Sequence, residues 1–599
     1  MKRILFFLLL TGVAADAVYC TVIRPKMSDA AFIKALEDCA QSAAHSSCMQ
    51  QLVSGDWLYP QPLDPLTLVP QDALLMLDTA NAAAAGQTFF QSRLGQTVTT
   101  VNWPAVLRRL DAPPLLSIIF KKQFVSLQAL LRKPFLQDVF SRRTVIALLP
   151  PDNAEQLWAN PMQKLLAQTV LISAPGKKGT AAALLALRKK NRQTDMLYYQ
   201  GISILTVEME QGRTLHAAAL GGQLVFSFSP APLQRSIDAF IRHFVRRKNG
   251  LLRVSDYVEM KAATEGQDDF FLYANLAKLK QLFGQQDEAA MPSGIRSMSL
   301  LHQRRKKTEY FKSMIRFSPE HLPPVQKQFY TAAPQRDRSL ALMPADLLLY
   351  FWTNWLEPEF WQQIVLADAA ENQFLASTEE WLRKQTGMGI KEMLSLFGKE
   401  FSFNTNEIST AGFFPVPRLC FVIEVRERNK AERFLRKLLA GLPLKRKSIN
   451  GTTVVSLQAA KGMMQPSYTF MDNFLILADS REQLLDLLKT DKEKLLADRS
   501  FQAVNTGMTQ PSNLLVFARV AELVNGLKEL AAWAGAMLAV RDENAGAKSK
   551  VLVDEVISPI LDSFSTFAAV SLRSEVRPGE LVLETAAWRD EQEKLSGPP

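Results

Sequence analysis

The sequence predicts an α+β fold: a mainly antiparallel sheet module, packed with amphipathic helices and present twice in tandem. Three observations predict it. Leu419–Leu488 follows the order strand, helix, hairpin, strand pair, helix. A degenerate copy of its hairpin, strand and last helix lies earlier in the chain, beginning at Gly201. Two further blocks match outside this stretch, and all the blocks keep the same order.

Within Leu419–Leu488, each element has a local signal. Leu419–Val425 is a short apolar run with β-branched and aromatic residues, which predicts a strand. Asn450-Gly451 predicts a tight hairpin because both residues tolerate positive φ. Ser480 with Gln483 three residues later predicts a capping box at the start of a helix. Between the strand and the hairpin, apolar residues recur at helical spacing at Ala431, Phe434, Leu435, Leu438 and Leu439.

The matching blocks define the predicted domains. The paired blocks are Gly201–Val207 with Gly451–Leu457, Val69–Leu75 with Met343–Leu349, and Tyr273–Leu279 with Phe517–Leu523. We therefore expect a first repeat at residues 69–318, a proline-rich linker at 319–338, a second repeat at 339–588 and a polar tail at 589–599. Within the second repeat, residues 542–550 are predicted to form a flexible loop.

The N-terminus has the layout of an export signal. Lys2 and Arg3 precede an apolar core, and small residues follow around Ala15 and Ala17. We therefore interpret residues 1–27 as a signal peptide or an N-terminal membrane anchor. Residues 4–23 are just long enough to span a bilayer, although Asp16 near mid-membrane would cost about 2.5–3.5 kcal/mol. Both alternatives predict export to the periplasm, either released or anchored to the inner membrane.

An exported chain gives the cysteines a specific meaning. Residues 28–68 are interpreted as an N-terminal helical segment that carries Cys39 and Cys48. In an oxidising compartment these two thiols are candidates for a disulfide, and two free thiols are the alternative. Cys420 lies in an apolar strand and is interpreted as a small core residue.

Composition and charge limit the class of partner. Hydrophobic content of 47% with 22% charged residues is ordinary for a folded protein. The net charge of +11 favours anionic surfaces. The basic residues, however, form short dispersed clusters, which are typical of solvated turns and helix ends. Dispersed charge and export both argue against nucleic-acid binding.

The sequence contains no motif that identifies a catalytic, metal-binding or cofactor-binding residue. The five histidines share no metal-ligand spacing, and GxSxG, GxxxxGK[ST] and GxGxxG are all missing from the sequence. We therefore predict no catalytic residue, no metal site and no cofactor. An acid–base pair assembled in space between the repeats stays open as an alternative.

One aromatic cluster stands out as a candidate contact. Trp352, Trp355 and Trp361 lie within one short span, whereas the matching part of the first repeat has no tryptophan. Rings of this size can line an apolar groove or lie at a membrane surface. The alternative, which we favour, is that they fill the core at a junction between strand and helix.

The exported N-terminus, the Met343–Tyr350 strand and the hairpin block through Tyr468–Leu488 carry a family resemblance. The chain resembles the uncharacterised exported bacterial family catalogued as domain of unknown function 3352. The resemblance implies a bacterial envelope protein, and it brings no activity or site residues.

These observations together favour a non-enzymatic binding or scaffold protein of the cell envelope. Its expected partner is an envelope protein or a hydrophobic ligand. One alternative is a periplasmic carrier of a lipid or another hydrophobic ligand, and a second is an enzyme with an unrecognised site.

Overall fold

The computed structural model describes residues 63–110, 140–151, 165–174, 194–209, 213–246, 250–264, 269–283, 294–358, 373–409, 416–449, 451–458, 465–489, 492–541 and 543–590. The predicted signal or anchor, Cys39, Cys48 and Trp361 therefore lie outside the described residues. The chain divides into two compact units. Unit 1 holds the chain up to Gln303 with Met314–Arg316, and unit 2 holds Arg304–Ser313 and the chain from Phe317.

Unit 1 is built on one antiparallel sheet. Its strands are β1 (Leu75–Thr79), β2 (Thr144–Leu148), β3 (Thr169–Ser173), β4 (Thr194–Tyr199), β5 (Ile202–Met209), β6 (Arg213–Leu220), β7 (Gln223–Ser227), β8 (Phe270–Asn275) and β9 (Ile295–Arg305). In space they follow the order β9-β8-β1-β2-β3-β7-β6-β5-β4. Its helices are α1 (Ala82–Gln91), α2 (Arg93–Thr100), α3 (Trp103–Arg109), α4 (Pro230–Arg246), α5 (Ser255–Ala262) and α6 (Leu276–Phe283).

The central strands of unit 1 are covered on both faces. Every residue of β2, β3 and β7 is buried, which explains their nearly continuous apolar sequences. The tight turns need glycine because φ is positive there, as at Gly201 (79°) between β4 and β5.

The strands of unit 2 also pair antiparallel. Its strands are β10 (Thr308–Phe317), β11 (Leu349–Thr353), β12 (Phe397–Ser409), β13 (Val416–Val425), β14 (Leu444–Ile449), β15 (Thr452–Leu457), β16 (Ser467–Met471), β17 (Phe474–Ala478), β18 (Leu514–Arg519), β19 (Ala569–Arg577) and β20 (Glu580–Trp588). They follow the order β10-β20-β19-β18-β11-β12-β13-β17-β16-β15-β14.

Along the chain, the helices of unit 2 lie between these strands. They are α7 (Pro324–Thr331), α8 (Gln373–Thr386), α9 (Ile390–Ser395), α10 (Arg428–Leu438), α11 (Arg481–Leu488), α12 (Arg499–Val504), α13 (Val520–Arg541), α14 (Glu543–Leu552) and α15 (Ser558–Phe564). A π-helical turn, Val553–Ile557, joins α14 to α15. The protein therefore has a mixed α+β fold dominated by antiparallel sheet.

The core of unit 2 lies on both faces of its sheet. Successive strand residues point to opposite faces, so Leu475 and Ile476 enter different clusters. Ile476 packs in the cluster that contains Trp352, while Leu475 packs in the one that contains Phe434. The order of elements predicted for Leu419–Leu488 is present, with β13, α10, the β14–β15 hairpin, β16, β17 and α11 in sequence.

Half of the predicted capping box at α11 forms. The Ser480 hydroxyl accepts a hydrogen bond from the backbone N–H of Gln483 at 3.3 Å, which confirms the cap. The Gln483 side chain, in contrast, donates to the backbone carbonyl of Arg418 at 2.9 Å and so ties the helix to β13.

The predicted loop at residues 542–550 is wrong, because Glu543–Leu552 is helical. Gly546 lies within this helix, although glycine normally disfavours a helix. A Cβ atom at this position would lie only 2.3 Å from Cα of Ala539, so only glycine allows α13 and α14 to approach this closely. The segment 319–338, predicted as a linker, contains α7, and the Phe329 ring contacts Trp355 edge-on at 5.9 Å.

Candidate apolar binding surface

The connection between β18 and β19, Val520–Ala568, forms a helical excursion from the sheet of unit 2. It contains α13, α14, the π-helical turn and α15. Small residues let α13 and α14 pack closely at Gly546 and Ala539. An ion pair between Lys528 Nζ and Asp562 Oδ1, at 2.8 Å, joins α13 to α15. Packing and charge therefore hold the helical excursion as one element.

The helical excursion exposes an unusual amount of apolar side chain. Val520–Val540 has a mean hydropathy of 1.2 in its most apolar window, and only 11% of that window is buried. By length and composition it is the one helix among the described residues that could cross a membrane. Thirteen large apolar side chains are exposed in the described part of the chain. Six of them lie here: Leu527, Met537, Leu538, Val540, Leu552 and Phe564.

The chemistry of this surface is simple. From Leu530 to Val540 no residue carries a charge, and Trp533 is the one side chain with a hydrogen-bonding group. Such a surface offers no acid, base or nucleophile, so it cannot perform catalysis by side-chain chemistry. It can gain free energy only by removing apolar area from water.

The tryptophans chosen from the sequence lie elsewhere. Trp352 is fully buried in the core of unit 2, with 0% of its surface exposed. Trp355 lies beside it in sequence and packs on Phe329 of α7. The structure thus places Trp352 where the core-filling alternative puts it, while Trp361 lies outside the described residues.

A buried polar network at the start of unit 2 is the strongest candidate for acid–base chemistry. The Asp337 carboxylate accepts hydrogen bonds from the Tyr350 hydroxyl (2.5 Å) and from the hydroxyl and N–H of Ser339 (both 2.8 Å). Burial raises the pKa of Asp337 to about 6, although these hydrogen bonds lower it. Burial also raises the pKa of Tyr350 far above its ordinary value.

This network has the geometry of a structural element. Tyr350 and Ser339 are buried, and the hydroxyl of Ser402, which bonds to Ser339 at 3.1 Å, is buried as well. Asp337 also accepts the N–H of Leu340 at 3.0 Å, so the carboxylate is fully used by its neighbours. Tyr350 and Ser339 are closed to solvent, whereas Asp337 itself is half-buried.

A charged cavity of about 380 Å³ in unit 1 is a second candidate site. Its lining combines Arg235 and Arg242 with Asp72 and Asp238. Arg235 pairs with Asp72, and Arg242 Nη2 lies 3.8 Å from Asp238. Each arginine has an acidic neighbour, but Lys278 also lines the cavity, so the lining keeps one net positive charge.

No group of three or more histidine, cysteine or acidic side chains converges to hold a metal within the described ranges. Cys420 is a free thiol, buried in the core as predicted, and burial raises its pKa to about 12. Such a thiol stays protonated and unreactive at neutral pH.

The sequence held one signal for the helical excursion that went unused. The run from Leu530 to Val540 lacks charge altogether, whereas helices on the surface of a globular protein normally have a polar face. A helix with no polar face is usually buried, so this signal marks the segment as unusual without showing that it is exposed.

Comparisons with known proteins identify a family. The model of a family described as "Protein of unknown function (DUF3352)" matches residues 133–543. No curated protein matches the chain. Two crystal forms of TP0453 are similar over 46% and 45% of this chain and 89% and 84% of theirs, at 12% and 10% identity. Their TM-scores of 0.24 and 0.25 are too low to assign a fold or a function.

Proposed function

The protein belongs to the DUF3352 family of unknown function, and we propose that it is a non-enzymatic, exported envelope protein that binds lipid membranes through the helical excursion. The observation that carries this proposal is the exposed, uncharged surface of α13. A bilayer interface is the partner that such a surface fits, because it offers apolar area without requiring hydrogen bonds or countercharges.

The geometry of α13 suits this role. At 1.5 Å per residue, the 21 residues of Val520–Val540 extend over about 30 Å. Its apolar side chains cluster towards the end remote from the sheet, where Met537, Leu538 and Val540 are 41%, 46% and 85% exposed. With α13 lying along the membrane surface, these side chains can reach the acyl boundary while Lys528, Glu529 and Arg541 remain in water.

The expected affinity indicates that a second contact is needed. Transferring a large apolar side chain from water is worth about 1.5–3 kcal/mol when it is fully exposed. These side chains are mostly half exposed, so each adds roughly 1 kcal/mol. Stable membrane attachment normally takes two signals. Attraction of the basic chain to anionic lipid supplies the second, and residues 4–23 add a further contact where they are retained.

We further propose that the two units arose by tandem duplication, since they share one strand order. Equivalent hydrogen bonds support this. The N–H of Leu74 donates to the carbonyl of Leu148, as that of Leu348 does to Thr405. The N–H of Asn275 donates to Leu74, as that of Arg519 does to Leu348. The glycine hairpins at Gly201 and Gly451 join equivalent strand pairs, β4–β5 and β14–β15.

The two units differ in the length of one equivalent connection. In unit 1 the connection equivalent to the helical excursion starts with α6 at Leu276 and reaches β9 at Ile295. In unit 2 it runs from Val520 to Ala568. The sheet needs only the shorter connection, so the added helices of unit 2 serve something other than the fold.

Vesicle flotation tests the proposal. The chain from Ser28 onwards should float with vesicles of phosphatidylethanolamine and phosphatidylglycerol. Leu538→Glu should reduce the bound fraction several-fold, because a carboxylate would have to enter the acyl region. The matched control is Leu442→Glu, since Leu442 is also 46% exposed but lies between α10 and β14.

The outcomes separate the candidates. Equal flotation of both variants, or no flotation of the parent chain, would contradict membrane binding through α13. A carrier that encloses a lipid would instead retain lipid after purification, which native mass spectrometry would detect as added mass. In that case the parent chain would not bind vesicles, and Leu538→Glu would remove the added mass.

A further inference from the structure

A second apolar surface lies at the edge of the sheet in unit 1. Strand β4 is the last strand of that sheet, and among the described residues its one partner strand is β5. Met196, Leu197 and Tyr198 are 42%, 43% and 58% exposed. Because consecutive side chains of a strand point to opposite faces, both faces of β4 are open to solvent.

Edge strands normally carry features that prevent association. An unpaired edge offers a row of backbone N–H and C=O groups to any other strand, and proteins commonly block it with charged side chains, above all lysine. Strand β4 has one charge, Asp195, followed by three large apolar side chains. Its sequence therefore lacks the usual protection by lysine.

The equivalent strand of unit 2 has that protection. The pairs Tyr199–Ile202 in the β4–β5 hairpin and Ile449–Thr452 in the β14–β15 hairpin flank the glycine turns in the same way. Counting back from these turns, Asp195, Met196 and Leu197 occupy the places of Lys445, Arg446 and Lys447. The same edge thus has three cations in unit 2 and mainly apolar side chains in unit 1.

We propose that β4 is a self-association strand, which pairs antiparallel with β4 of a second copy of this chain across a two-fold axis. In the symmetric register, Met196 faces Leu197 of the other copy, and Asp195 faces Tyr198. No like charges meet in this arrangement. The same pairing of β14 would set Arg446 against Lys447, which is repulsive.

The strand is held ready for pairing. The Tyr199 hydroxyl and the Gln200 side-chain amide both donate to Oδ1 of Asp238 on α4, at 3.1 and 2.7 Å. These bonds fix the turn end of the β4–β5 hairpin on the body of unit 1. Less conformational entropy is then lost when the second copy binds.

The contact is small and should be weak. Each copy contributes a strand of 6 residues. The area buried between two such strands is well below the roughly 1,000 Å² that a stable interface usually buries. A dimer that forms with rising concentration is therefore expected, and on a membrane the local concentration of the protein would favour it.

Sedimentation velocity of the full chain in detergent micelles, over a concentration series, tests the proposal. The parent should shift from monomer to dimer and no further. The double substitution Met196→Arg with Leu197→Lys gives β4 the protection seen in β14. It should weaken dimerisation by about tenfold or more, since it replaces apolar contacts by like charges. Both side chains are exposed, so the far-ultraviolet spectrum should not change.

Two controls keep the result interpretable. Leu538→Lys in the helical excursion should leave the dimer unchanged, which separates β4 from association through α13. The converse change, Arg446→Met with Lys447→Leu, should open a second edge and produce species larger than a dimer. A parent that is monomeric at every concentration, or a dimer that persists in the β4 variant, would overturn the proposal. So would loss of the parent's association on changing β14, because that would show β4 pairing with β14.

Discussion

Units 1 and 2 arrange their strands in the same order, yet they differ at two equivalent places. Between β8 and β9, unit 1 begins its connection with the short helix α6, whereas between β18 and β19, unit 2 has the helical excursion. At the sheet edge the difference is reversed, because β4 is apolar and β14 is cationic. Among the described residues, each unit therefore exposes large apolar side chains at the place where the other does not. The same strand order supports both surfaces. The places where the two units differ are therefore the candidates for function.

The largest expected effect on stability concerns a position that is equivalent in the two units. Leu75 and Leu349 pair with Ala274 and Ala518 in the same register. Three residues further on, unit 1 has Asp78 and unit 2 has Trp352.

Trp352→Ala should lower the free energy of unfolding of unit 2 by about 3–5 kcal/mol, because it leaves a large cavity in a packed core. Urea unfolding followed by circular dichroism measures this change. Trp381→Ala, at a site that is 53% exposed, is the control and should cost far less. A small loss in Trp352→Ala would mean that the ring does not support the core.

The corresponding position in unit 1 is stabilised by charge. Arg143 donates through Nε and Nη2 to the two carboxylate oxygens of Asp78, at 2.8 and 2.7 Å. Asp78→Ala should cost roughly 2–4 kcal/mol, because it leaves the arginine partly buried without its closest partner. Asp64 lies 3.1 Å from Arg143 and limits the loss. If Asp78→Ala were neutral, the ion pair would have no structural role.

The stability of unit 2 should depend on pH through one half-buried carboxyl group. The pKa of Asp337 is raised to about 6, so between about pH 4 and 6 the folded protein holds a proton that the unfolded chain releases. The contribution of Asp337 to the free energy of unfolding should therefore fall by roughly 2–3 kcal/mol as pH rises through this window. Burial also raises the pKa of Glu400, which adds in the same direction. The lowered pKa values of Asp498 and Glu575 act in the opposite direction, so the contribution of Asp337 is read from the difference between the parent and a variant at this position.

Asp337→Asn should flatten this dependence, because the amide does not titrate. Urea unfolding at a series of pH values between 4 and 7 gives the slope for parent and variant. An unchanged slope would show that another group holds the proton. A stability difference between parent and variant that grows in the parent's favour as pH rises would show that the hydrogen bonds to Asp337 outweigh its burial.

The smallest effect is expected within the helical excursion. Gly546→Ala would place a Cβ atom against Ala539, and such overpacking costs about 1–3 kcal/mol. Gly535→Ala is the matched control, because its Cβ would meet the rotatable hydroxyl of Ser549 at 3.1 Å and alanine favours a helix. Hydrogen exchange of α14 should accelerate in the first variant and not in the second. Equal exchange in both would mean that α13 and α14 are not closely packed.

Local signals in the sequence predicted much of the sheet. The apolar strand at Leu419–Val425 and the glycine turn at Gly451 depend on neighbouring residues alone, and both are present. The cap at Ser480 was predicted for the same reason. The α+β class followed from these signals.

The candidate surface was harder to predict because it depends on contacts between distant residues. Gly546 resembles a loop residue until Ala539 of the neighbouring helix is placed against it. The exposure of Leu538 could not be read from an apolar sequence, since an apolar helix is more often buried. The contrast between β4 and β14 needed the strand order, which shows that both are edges.

Hydrogen exchange of the full chain, with and without vesicles, tests the central claim most directly, because unit 1 provides an internal control. Peptides covering Val520–Val540 should become protected when vesicles are added, while α6 at the equivalent position of unit 1 should not change. Protection of α6, or no protection of α13, would contradict the assignment of membrane binding to the helical excursion.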